Sequence, residues 1–165
     1  MARLMFLRGP FVRRAAAIAA GLLTFGCTAT DPEIIAIEYM RATRHADSDD
    51  ALARLDLDEI VGRIEDDVTL VLKEGNSDIF LRNSVETMLW GLFQETPREE
   101  NLTYGATPAT IDGDRATVEV TMNDPEGGTR TRTVHLRRTA EGWRVSGRSV
   151  DNLVTYVIQR LEERF

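Results

Sequence analysis

Ala116-Thr117-Val118-Glu119-Val120-Thr121-Met122 alternates apolar and polar side chains without a break. A period of two is that of a strand with one buried face. Ala116, Val118, Val120 and Met122 therefore point one way, and Thr117, Glu119 and Thr121 the other. Upstream, Asp112-Gly113-Asp114 is a hairpin turn signal. Leu102 to Ile111 before it reads as a strand that Pro108 confines to an edge or ends early. Downstream, Asn123 to Gly128 forms a longer turn, and Arg130 to Arg138 forms the next strand. Its Val134 and Leu136 share parity with Arg130, Arg132 and Arg138, whereas Thr131, Thr133, His135 and Arg137 take the opposite face. Ala140-Glu141-Gly142 then turns into Trp143-Arg144-Val145, with Trp143 and Val145 inward.

The flanking segments have helical period. Asp31-Pro32 starts the first helix, with Asp31 as cap and Pro32 at the first helical position. Ile34, Ile37 and Met40 line one face, with Ile35, Tyr39 and Ala42 beside them, and the helix ends near His45. Asp47-Ser48-Asp49-Asp50 caps a short second helix through Leu55. Asp56-x-x-Glu59 is a capping box for a third helix running to Lys73 and Gly75. Asn76-Ser77-Asp78 opens a fourth, ended by Thr96-Pro97. Leu81, Val85, Met88, Leu89 and Leu92 form its main stripe, but Ile79, Phe80, Trp90 and Phe93 lie off it. A helix apolar around more than half its girth is expected to be buried on two sides or to face a cavity. Ser149 begins a last helix whose Val150, Leu153, Val154, Val157, Ile158 and Leu161 make one regular stripe, continued by Phe165. The fold class is α+β: N-terminal helices packed on a curved antiparallel sheet of about four strands, followed by a C-terminal helix.

The 165 residues suffice for one domain with its own core, and residues 32–165 are assigned to it. The formal charge is −7. The first 26 residues carry four arginines and no acid, so removing those four charges leaves −11 on the rest. Such a domain repels nucleic acid at long range, and no nucleic-acid partner is expected. Arg3, Arg8, Arg13 and Arg14 make a basic segment, Ala15 to Phe25 a short apolar run, and Gly26-Cys27 follows directly. The run is too short to span a bilayer and has the organisation of an export signal.

Leu22-Leu23-Thr24-Phe25-Gly26-Cys27 resembles the lipobox of bacterial lipoproteins. That resemblance implies a signal peptide over 1–26, a tether over 27–31, and diacylglycerol on Cys27. The partner would then be the lipid bilayer, at the outer membrane or cell surface. Cleavage near Ala29 by ordinary signal peptidase is the alternative. Cys27 is the one cysteine, so neither an internal disulfide nor a cysteine-based metal site can form.

Two further resemblances concern the domain. Pro32-Glu33, Tyr39, Ala42 and Asp47 lead into Asp50-Ala51-Leu52-Ala53-Arg54-Leu55, and a late β segment runs from Asp112 to Val120 and ends Glu141-Gly142-Trp143-Arg144-Val145. This looks like the nuclear transport factor 2-like superfamily, the cone-shaped fold of ketosteroid isomerase and SnoaL-like proteins. The third and fourth helices are longer than that fold needs, and the helix after Trp143 is extra. In that last feature the chain resembles the periplasmic phospholipid carriers of the Mla pathway, where a Trp-containing strand precedes a Ser-led helix ending in Arg and Phe.

No nucleophile-and-base pair, phosphate loop or metal-ligand spacing stands out, and neither cofactor nor metal is expected. Of the two histidines, His45 sits at a helix end, and His135 has the parity of the polar strand face, facing Glu119 or Thr121. The candidate ligand pocket is Tyr39, Trp90, Tyr104, Met122, Arg130 and Arg132. In it the two arginines would stand at the mouth of the curved sheet and take a carboxylate or phosphate. The expected function is that of a non-catalytic envelope domain binding a hydrophobic ligand or another envelope protein. A lipid carrier component and an isomerase- or dehydratase-like enzyme are the alternatives.

Overall fold

The computed structural model describes residues 31–67 and 77–163. Its elements are helices α1 (Pro32–Arg44), α2 (Ser48–Ala53), α3 (Leu57–Asp67) and α4 (Ser77–Glu95), then strands β1 (Thr103–Ala106), β2 (Thr110–Asp112), β3 (Arg115–Asp124), β4 (Gly128–Thr139) and β5 (Gly142–Val145). A 3-10 turn (Gly147–Val150) leads into helix α5 (Asp151–Glu162). The α+β architecture is as expected: helices on a curled antiparallel sheet, with a further helix at the C-terminal end. The signal segment, Cys27 and the proposed continuation of the third helix to Lys73 lie outside the described residues. Among the described residues no helix is long and apolar enough to cross a membrane.

β3 is the centre of the sheet. The strand order is β1-β3-β4-β5, and β2 also pairs with β3. The break expected at Pro108 splits the first run into β1 and β2, which occupy opposite ends of β3: Tyr104 pairs with Met122, and Ile111 with Ala116. Gly113 and Asp114 are the two-residue loop between Asp112 and Arg115, and Gly113 takes φ 60°, which a side chain would strain. Ala116, Val118, Val120 and Met122 are all buried, as are Val134 and Leu136 beside them and Trp143 and Val145 on β5. Each buried Val, Leu or Met among them contributes roughly 1.5–3 kcal/mol of transfer free energy.

α1 lies across the sheet, packing on β1, β3, β4 and β5, while α4 packs against α2, α3 and α5. Tyr39 of α1 meets Phe93 of α4 edge-on, with ring centroids 6.4 Å apart and planes at 80°. The buried stripe of α4 is Leu81, Val85, Leu89 and Phe93, with Met88 and Leu92 only half-buried. Phe93 thus belongs to the stripe, because burial follows every fourth residue into the junction with Tyr39. Trp90 is 44 % exposed, so the expected burial on two sides does not extend to its face of α4.

Several caps differ from their expected form. The Asp31 side chain does not cap α1; its carbonyl accepts from the Ile34 and Ile35 amides at 3.0 and 3.3 Å. Asp56 caps α3 by accepting from the Glu59 amide at 3.1 Å. Glu59 does not reach back to complete a capping box; it accepts from Ser146 Oγ at 3.0 Å and the Gly147 amide at 3.2 Å. Nor does Ser149 cap the last helix. Its hydroxyl donates to the His135 carbonyl (3.1 Å) and accepts from the His135 amide (2.7 Å), and Ser146 caps the 3-10 turn instead. His135 faces Thr117 (Nδ1 to Oγ1, 3.3 Å) rather than Glu119 or Thr121, because Thr117 is its register partner.

Candidate functional site

A cleft of about 460 Å³ opens where α1, the end of α4, the middle of β4 and the start of α5 meet. That volume is in the range of small-molecule sites. Its apolar floor comes from three elements: Tyr39 and Met40 of α1, Leu92 and Phe93 of α4, and Val134 of β4. Val134 is there because of the strand period, and Phe93 because the α4 stripe ends there.

The rim is basic. Arg44, Arg132 and Arg148 line it with a single acid, Asp151. Asp151 is already bound to Arg63 at 2.7 Å, and Arg44 donates to Glu99 at 2.8 Å. Arg132 and Arg148 are exposed and have no carboxylate partner among the described residues. The cleft therefore joins an apolar floor to two uncompensated guanidinium groups, which suits carboxylate or phosphate. Around the rim, Arg148 also faces His135. Burial, and then the Arg148 charge, pull the His135 imidazole below its ordinary pKa.

The six residues singled out as a pocket fall into three places. Tyr39 and Arg132 line the cleft. Burial raises the Tyr39 phenol well above its ordinary pKa, so it is protonated at neutral pH. Tyr104, Met122 and Arg130 form one row across β1, β3 and β4. Met122 is wholly buried there, and Arg130 pairs with Glu99, which the Arg130 hydrogen bond holds below its ordinary carboxylate pKa. Arg41 stacks over the Tyr104 ring with its guanidinium carbon 5.6 Å from the centroid, and the buried Tyr104 hydroxyl has no hydrogen-bond partner among the described residues. Trp90 stands outside the cleft, its indole N–H donating to Asp49 at 3.1 Å.

Arg44, Phe93 and Arg148 join the cleft without having been singled out. Arg44 belongs to the polar side of α1, and Arg148 to a connection without periodicity. Only the return of the chain after β5 brings Arg148 opposite Arg132.

A larger groove, about 740 Å³, runs between α4 and α5 beside Met88, Gly91 and Tyr156. Its one arginine, Arg160, is held by Tyr156 at 2.9 Å and Glu163 at 3.0 Å, so it presents no uncompensated charge. Among the described residues no cluster of histidine, cysteine or carboxylate side chains could hold a metal ion.

No protein-family model matches this sequence. No curated protein matches it either. Solved structures match at low identity. A Campylobacter jejuni protein described as an NTF2-like transpeptidase is 16 % identical with a TM-score of 0.46, over 71 % of this chain and 98 % of that one. A phospholipid-binding protein from Ralstonia solanacearum, solved with a phospholipid, is 18 % identical with a TM-score of 0.44, over 82 % of this chain and 87 % of that one. Similarity of this degree assigns neither a family nor a ligand to this chain.

Proposed function

We propose that this chain is an exported, lipid-anchored and non-catalytic binding domain, and that its cleft receives an amphipathic anion. The apolar body lies over Tyr39, Phe93 and Val134, and the carboxylate or phosphate meets Arg132 and Arg148. One observation carries this: two arginines without acidic partners among the described residues flank an apolar floor on a chain that is otherwise strongly acidic. A ligand's anionic head supplies the counter-charge that these two guanidinium groups lack among the described residues, through charge-assisted hydrogen bonds.

The interior of the sheet favours recognition at the mouth over storage of a two-chain lipid. Val118, Val120 and Met122 are fully buried against the helices, so the concave face is packed. An enzyme would need an acid or base at the floor, and the rim's only carboxylate, Asp151, is engaged by Arg63.

The test is calorimetric titration of the domain with decanoate and with uncharged decanoyl glycerol. Decanoate should bind, and the glycerol ester more weakly. Arg132→Ala and Arg148→Ala should each weaken decanoate by about tenfold or more, as expected for a charge-assisted hydrogen bond. Both side chains are exposed, so stability should hold. Equal affinity for both ligands, or no effect of the two substitutions, refutes the proposal. Mass spectrometry of protein from its native membrane tests the anchor through the mass added at Cys27.

A further inference from the structure

The β4 strand carries Arg130, Arg132, Arg137, Arg138 and His135 and no acid, in a chain of formal charge −7. Its two edges differ along its length. β3 pairs with it throughout, from Arg115 opposite Arg137 to Asp124 opposite Gly128. β5 pairs only with Leu136 to Thr139. The next step along that edge is also closed, since the His135 carbonyl accepts from the Ser146 amide at 2.9 Å and the His135 amide donates to Ser149 Oγ at 2.7 Å. The chain then turns away into the 3-10 turn. Among the described residues nothing pairs with this edge over 128–133.

Strand geometry fixes which groups are left open. Both backbone groups of His135 face the β5 side. The register with β3 runs on without a bulge, so Thr133, Thr131 and Thr129 present their amides and carbonyls the same way. Arg132 and Arg130 make the β3 ladder and put their side chains on the cleft side. The Val145 amide donates to the Arg54 carbonyl and the Asp56 amide to the Val145 carbonyl, both at 2.8 Å, which closes the outer side of β5.

We propose that the open edge of β4 over 128–133 binds an extended acidic segment of another protein by strand addition, in the lane that β5 leaves empty. Main-chain bonds to Thr129, Thr131 and Thr133 supply the pairing, and a carboxylate beside Arg132 supplies the selectivity. Arg130 is already held by Glu99, so Arg132 is the cation that selects. A second copy of this chain fits poorly. Antiparallel self-pairing centred on Thr131 sets Arg130 against Arg132 of the other copy, and like charges directly opposite destabilise a ladder.

The test is fluorescence anisotropy with a labelled peptide of alternating threonine and glutamate, added to the full domain. The peptide should bind, and an alternating threonine–lysine peptide should not. Thr131→Pro removes an edge amide but no bond to β3, and it should weaken the peptide at least about tenfold. The same loss should follow from N-methylation of alternate amides in the peptide, which leaves the protein untouched. Thr131→Pro should leave decanoate titration unchanged, because the cleft uses the Arg132 side chain and not the Thr131 amide. No binding of the glutamate peptide, equal binding of its N-methylated form, or a dimer that Thr131→Pro dissolves would each overturn the proposal.

Discussion

Replacing Asp56 with alanine should be among the most damaging single changes in this domain. The Asp56 side chain is 3 % exposed and accepts from Arg137 Nε at 2.6 Å. It also accepts from the Glu59 amide at 3.1 Å, while the Asp56 amide donates to the Val145 carbonyl at 2.8 Å. One residue thus starts α3, holds it to β5 and neutralises an arginine of β4. Losing the cap costs about 1 kcal/mol. The charge-assisted bond contributes about 1.5–3 kcal/mol when both partners are dry. Here the Arg137 side chain is 37 % exposed and regains water, so the lower part of that range applies. Asp56→Ala should therefore lose about 2–4 kcal/mol. Asp56→Asn keeps an acceptor for the cap and should lose about half as much. Arg137→Ala should lose at least as much as Asp56→Asn, because it strands a buried carboxylate. Urea unfolding followed by circular dichroism reads these losses as midpoint shifts at constant slope. An Asp56→Ala variant within about 0.5 kcal/mol of the parent would refute the reasoning. So would an Asp56→Asn variant as unstable as Asp56→Ala, since the cap would then contribute nothing.

Burial raises the phenols of Tyr39 and Tyr104 above their ordinary 10.0, with Arg41 partly offsetting the rise at Tyr104. A raised folded value means stability is intact below the unfolded value of 10.0 and is lost as pH climbs from there through the folded value. Tyr39→Phe should flatten this alkaline decline in denaturation measured across pH. His135 is displaced the other way from 6.5, by burial first and the Arg148 charge second. The unfolded chain then binds the extra proton, so this group lowers stability as pH drops through 6.5. Arg148→Ala should move the His135 titration upward in an NMR series, and an unmoved titration would disprove the coupling.

The sequence by itself determined the element types and the buried faces. Alternation in Ala116–Met122 and in the Val134–Leu136 pair is a local signal, because the strand period assigns each side chain to a face wherever the strand ends up. Pro108 and Gly113 act through their own backbone limits, and they placed the break and the turn correctly. The tertiary structure alone decided which polar groups find partners. Arg130 and Arg132 have the same parity, yet Arg130 is held by Glu99, 31 positions away, and Arg132 stays open to the cleft. Glu59 has the spacing of a capping box but bonds to Ser146, 87 positions on. Arg148 carries no pattern, and it reaches the rim only because the chain reverses after β5. Periodicity is a property of neighbours along the chain. Charge pairing depends on which distant groups the packed core brings within a few ångströms, so the site was only half legible before the fold was known.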